Sequence, residues 1–251
     1  DGTHHMFSQF GSGMLQGSRV KTYHTPTMLV SPTGLLFEAQ KLSGVGVNSP
    51  LSRLHLSTDS PVITPYHRAV NWAREMSRGS ANHGTCGHGV GEVMLDILRK
   101  KDDVIFVRDF LDPQVLREKL LSQKRRKGKQ ARLLLDTSIK KSPMYLDRHA
   151  AVKGVFQGSD ILDGFLGDVD ILMSSVPSVS FGLRIPDLSS NHLLFEGAQG
   201  VLIDEWFGFH PHTTWSTTTS ANAENALLHM FGRNVAKRVG VLRAYTVRHG
   251  A

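Results

Sequence analysis

Residues Leu193 to Thr219, LLFEGAQGVLIDEWFGFHPHTTWSTTT, constrain this chain more than any other stretch. An apolar run passes straight into glycines and then into a hydroxyl-rich loop. Leu193, Leu194 and Phe195 predict a buried strand, while Gly197 and Gly200 let backbone approach a ligand closely around Gln199. Thr213, Thr214, Ser216, Thr217, Thr218 and Thr219 then supply short donors without adding charge, which suits an anion already met by backbone N–H groups.

A second glycine loop lies upstream. Asn82 to Glu92, NHGTCGHGVGE, leads into Val93, Ile97 and Leu98 at helical spacing, so the N–H groups near Gly89 and Gly91 fall at the positive end of a helix and form a candidate phosphate seat. Other elements follow from local signals. Met28 to Val30 reads as a strand. Ser31 caps a helix with Pro32 in its first turn and Leu35, Leu36, Ala39 and Leu42 on its faces. Val62 and Ile63 suggest a strand before a helix from about His67, with Val70, Ala73 and Met76 on one face. Ser220 to Met230 reads as a helix, and Val241, Leu242, Ala244 and Tyr245 as a last strand. Strands alternating with helices predict an α/β layered fold with a largely parallel central sheet.

Composition bounds the class. The chain is 40% hydrophobic over 251 residues, enough for a sizeable core, and no apolar run reaches membrane-spanning length. Residues 1–251 read as one domain and as a fragment, because the chain begins without Met and stops inside a motif. The N-terminal DGTHHMFSQ lacks signal-peptide character, which points to the cytoplasm. The lone Cys86 excludes an intrachain disulfide and a multi-cysteine zinc site. His210 and His212 flank Pro211 without a third ligand at suitable spacing, so no metal site is assigned. The net charge of +7 is concentrated at Lys119, Lys124, Arg125, Arg126, Lys127, Lys129 and Arg132. Residues 113–132 are read as a basic helical or loop segment, its charges a solvated surface more readily than a polyphosphate or nucleic-acid contact, with Leu133 to Leu135 a strand candidate behind it.

The FEGAQG motif, its following Asp204 and the Thr/Ser-rich loop closely resemble adenylosuccinate synthetase. NHGTCGHGVGE is similar to that family's IMP-phosphate loop. GVLRAYTVRHGA, PTMLVSPTGLLFEAQKL and VITPYHRAVNWAREMSRG agree in the family's order, while Asp102 to Asp160 matches poorly in detail. The resemblance implies a P-loop-NTPase-like fold and a homodimer. It also implies a ligase of purine nucleotide (AMP) biosynthesis that uses GTP and Mg²⁺ to join IMP and L-aspartate through a 6-phosphoryl-IMP intermediate.

By the same resemblance, Gln199 matches the glutamine that contacts the 6-phosphoryl group, and Thr214 a threonine that binds the IMP 5′-phosphate. Thr85 and Cys86 occupy the Thr-Thr pair of the phosphate loop, with Gly87 contributing backbone. Arg99 or Lys100 matches an arginine that reaches the IMP phosphate of a neighbouring subunit. Asp204 caps or orients the Thr-rich loop. Cys86 is a departure, since a thiol donates weakly; a small buried apolar role is the alternative. His88 replaces an arginine. The family's N-terminal GDEGKG and GHT motifs are missing, His4 and His5 do not fill the GHT role, and GSGML lacks the ending of a P-loop. The principal ligands of Mg²⁺ and GTP are therefore not identifiable. Two alternatives stay open beside the ligase: a catalytically inactive purine-nucleotide-binding relative, and a ligase acting on a 2-amino purine nucleotide.

Overall fold

The computed structural model describes residues 4–79, 84–137, 143–180, 192–232 and 237–241. A three-stranded parallel sheet runs in the order β1 (Thr22–Tyr23), β2 (Leu54–Ser57) and β3 (Ser178–Ser180), with Thr22 beside Leu54 and His55 beside Ser178. Val30 and Val62 add a separate parallel bridge. The helices are α1 (Pro32–Gly44), α2 (Pro65–Arg78), α3 (Val90–Leu98), α4 (Pro113–Asp136), α5 (Pro143–Phe156), α6 (Asp160–Ser175) and α7 (Ala221–Phe231). This is the expected α/β class, a parallel sheet flanked by helices. None of the described helices is long and apolar enough to cross a membrane.

Local chemistry explains where helices begin. The Ser31 hydroxyl accepts from Gly34 N–H, and Pro32 follows it with φ already set for a helix. Asp112 caps α4 by accepting from Gln114 and Val115 N–H, again ahead of a proline. Two apolar clusters result. The larger joins Leu35, Leu42, Leu54, Leu56, Leu120 and Leu172 between sheet and helices, and the smaller joins Val70, Ala73, Ala131, Leu135 and Val152 where α2, α4 and α5 meet.

Several expectations need correction. Leu133 to Leu135 is no strand but the last turns of α4, because the 24-residue helical register begun at Pro113 continues through them and buries Leu135. Leu193 to Phe195 forms no strand either. Three apolar residues find no described strand to pair with, and Leu194 is 80% exposed. Met28 and Leu29 lie outside regular strand structure, leaving Val30 alone on its bridge. Val241 is exposed and in no strand; Leu242, Ala244 and Tyr245 fall outside the described residues.

Candidate functional site

The glycine loop ends at the first turn of α3. Gly89 is the N-cap at φ +85°, with no side chain capping the helix. The N–H groups of Val90 and Gly91 have no protein acceptor among the described residues, so they are free to meet an anion, favoured further by the helix dipole. Gly87 is required on two counts. Its φ of +73° is left-handed, and a Cβ there would collide with the Trp72 indole. At Gly89 a Cβ would lie 3.0 Å from the backbone nitrogen of Arg68, so the start of α3 sits directly on the first turn of α2.

The Thr-rich loop is organised by Asp204, whose side chain is fully buried. One carboxylate oxygen accepts from Trp206 N–H (2.9 Å) and Phe207 N–H (3.0 Å), the other from Thr218 N–H (2.7 Å) and the Thr218 hydroxyl. The backbone bond from Trp206, reinforced by those from Phe207 and Thr218, lowers the carboxyl pKa to about 2. Thr214 N–H donates to Ile203 O, and the Thr217 hydroxyl to Glu205. The expected orienting role of Asp204 therefore has a concrete geometry.

Gln199 and Thr214 come together. The Gln199 amide donates to the Thr214 hydroxyl at 3.4 Å, and Gln199 sits at φ +69°, a conformation costly for any residue with a Cβ. The neighbouring Trp215 closes the distance to the other loop, since a Cβ on Gly91 would lie 3.6 Å from its Cδ1. The two glycine-bearing segments thus meet. Glu196 of the FEGAQG motif extends the site to the GSGML turn, accepting from Ser12 N–H (3.0 Å to one oxygen) and from the Ser12 hydroxyl.

The remaining residues are placed less simply. Thr85 is exposed and engaged by α2, its N–H donating to Glu75 at 3.3 Å and its hydroxyl accepting from Asn71 at 3.2 Å. Cys86 is exposed, so the alternative of a small buried apolar residue is wrong: the left-handed turn at Gly87 keeps it at the surface. His88 is exposed as well. Arg99 and Lys100 lie at the opposite end of α3, exposed and away from the glycine loop of their own chain. His210 and His212 gather no further ligands, and no group of three His, Cys, Asp or Glu among the described residues could hold a metal ion.

Sequence reasoning missed one feature outright. The basic run is not simply a solvated surface: Lys127 is fully buried, and Arg126 makes paired contacts with Asp96 and Asp103. A signal was present. Leu116, Leu120, Gln123, Lys127, Ala131 and Leu135 are spaced by three or four residues, which puts Lys127 on the inward stripe.

A parallel sheet with helices on it and a glycine loop opening one of them defines an α/β protein. The profile described as Adenylosuccinate synthetase matches residues 1–251, and the chain belongs to that family. Adenylosuccinate synthetase of Neisseria gonorrhoeae is 31% identical over 224 residues, covering 89% of this chain and 48% of the relative. The enzyme of Herminiimonas arsenicoxydans is 31% identical over 236 residues, covering 89% and 47%. The chain spans about half the length of these curated relatives. The fully ligated adenylosuccinate synthetase of Plasmodium falciparum shares the fold, with a TM-score of 0.53 at 15% identity over 86% of this chain and 45% of that one.

Proposed function

We propose that this chain supplies the IMP-phosphate side of an adenylosuccinate synthetase, a ligase that phosphorylates the 6-oxygen of IMP from GTP and lets L-aspartate displace that phosphate. The observation carrying the reading is the meeting of the two loops, with Trp215 against Gly91 and Gln199 on Thr214. In this reading the 5′-phosphate rests on the N–H groups of Val90 and Gly91 with the Thr214 hydroxyl beside it. The Gln199 amide donates to the transferred phosphoryl group, where a preorganised donor lowers the barrier. Gly87 and Cys86 line the loop. Thr85 joins them once its N–H leaves the Glu75 carboxylate, which otherwise competes with the phosphate for it.

Arg99 and Lys100, pointing away from their own loop, fit a reach into the site of a second copy, and hence a homodimer. The family resemblance implies GTP and Mg²⁺, whose ligands are not assigned among the described residues, where no group of three His, Cys, Asp or Glu could hold a metal ion. The ligase reading is favoured over an inactive relative because the matched proteins are themselves synthetases. Calorimetric titration of IMP into the 251-residue chain, followed by a turnover assay with GTP, Mg²⁺ and aspartate, tests it. Weak IMP binding without adenylosuccinate formation by these residues alone is the expected result. Absence of IMP binding would remove the phosphate seat, and robust turnover would overturn the division of the site.

A further inference from the structure

Helix α3 is held in place by ions more than by apolar packing. Its buried residues are Glu92, Val93 and Asp96, two carboxylates and a single valine. An ammonium or carboxylate taken out of water is destabilising by several kcal/mol unless it is closely paired. Lys127, fully buried in the middle of α4, meets that demand entirely from α3: its Nζ lies 2.8 Å from Asp96 Oδ2 and 3.7 Å from Glu92 Oε2, and donates to the Glu92 carbonyl at 3.4 Å. Asp96 also accepts from both terminal nitrogens of Arg126 (3.0 and 2.9 Å) and from His67 Nε2 (3.2 Å). Arg126 continues to Asp103, and Glu92 takes the Arg74 guanidinium at 2.6 Å. Glu92, Asp96 and Asp103 are thus balanced by Arg74, Arg126 and Lys127.

His67 completes the assembly as a neutral ring. Its Nδ1 accepts from Thr64 N–H at 3.1 Å, which leaves Nε2 carrying the proton that goes to Asp96. The start of α2 and the middle of α4 therefore converge on one carboxylate of α3. Ionic hydrogen bonds are directional, so they fix the helix along its axis more tightly than one valine could.

We infer that Lys127 is a positioning residue for the nucleotide phosphate: through Asp96 and Glu92 it sets where α3 lies, and with it the free N–H groups of Val90 and Gly91. Asp96 is six residues past Val90, about 9 Å along the helix. A short rigid helix carries a shift at one end to the other. This inference rests on the proposed phosphate seat and adds a residue that does not touch the ligand.

The test compares IMP with inosine, which lacks the phosphate, by calorimetry on the full protein and on Lys127→Met and Lys127→Arg. Misplacing a binding group by about 1 Å can cost up to ~100-fold, so Lys127→Met should weaken IMP at least about tenfold and leave inosine unchanged. Lys127→Arg, keeping the charge, should recover part of that loss. Where Lys127→Met does not fold, Arg126→Gln, on the partly exposed side of the cluster, should show the same phosphate-selective loss at smaller size. Equal weakening of IMP and inosine, or none, would overturn the positioning role while leaving the seat intact. Wild-type protein that fails to prefer IMP over inosine would instead remove the seat, and the inference with it.

Discussion

Helix α3 and the loop from Gly197 to Thr219 reach the same place by different means. The helix buries two carboxylates and a valine against α2 and α4, its charges neutralised by Lys127, Arg126, Arg74 and a neutral His67. The loop buries a single carboxylate, Asp204, and satisfies it from its own backbone, while Trp206, Phe207 and Phe209 remain 70–79% exposed. One segment is fixed by its neighbours, the other by itself. Disturbing the first should therefore affect the whole fold, and disturbing the second only the site.

Breaking the fixed side gives the largest effect. Lys127→Met removes the cation from a buried cluster and leaves Asp96 and Glu92 less compensated, so unfolding stability should fall by about 3 kcal/mol or more, read from a denaturant titration. The exposed pair of Arg117 and Asp163 offers the control, because breaking it should change stability by less than about 1 kcal/mol. Similar losses for both would mean that burial is not what gives the α3 cluster its weight.

On the loop side the effects should appear in turnover. In protein carrying the remaining motifs of the site, Gln199→Ala should lower kcat about 100-fold, the size of one lost transition-state donor, with little change in unfolding stability. Thr214→Val should instead raise KM for IMP about tenfold with kcat nearly intact, as expected for a contact made equally in ground and transition states. Steady-state kinetics separate the two. Identical kcat and KM patterns in both variants would dissolve the distinction between the residues.

The Asp204 hub should respond to acid. Its pKa is lowered to about 2 by bonds that exist only in the folded loop, so its stabilisation is fully present above the ordinary carboxylate range near pH 4 and is lost as pH falls through about 2. Tryptophan fluorescence of Trp206 and Trp215 should change across that window, and Asp204→Asn should show the altered signal already at neutral pH. A signal unaffected by both acid and substitution would place the loop's order elsewhere.

The smallest effect concerns Gln199 itself. Its left-handed backbone costs about 1 kcal/mol that glycine would not incur, so Gln199→Gly should match or slightly exceed wild-type thermal stability while losing turnover. A clear fall in Tm would show that the amide supports the loop rather than the ligand.

Much of this was legible in the residues. Ser31 with Pro32, and the apolar residues behind them, specify α1 through a cap and a helical period, and the glycine loop before Val93 specifies a helix start with open N–H groups. These signals are local, which is why they can be read. Leu133 to Leu135 misled because three apolar residues fit a strand or a helix equally until the helix before them is seen to continue. Phe195 misled because a strand requires a partner, and partners lie far off in sequence. Lys127 was hidden by composition: six other basic residues around it suggest a solvated face, and only its place on the spacing from Leu116 to Leu135 marks it as inward. Its acidic partners come from another helix. Trp215 against Gly91 and Glu196 on Ser12 are likewise contacts across long stretches of chain, set by packing alone.

That the two glycine-bearing segments serve one nucleotide is tested most directly by amide chemical shifts followed during an IMP titration. The account predicts that the N–H signals of Gly89, Val90 and Gly91 and those of Gln199 and Thr214 move together along a single saturation curve, with inosine leaving the α3 signals in place. Movement of one set alone, or of the two sets with different affinities, would contradict it.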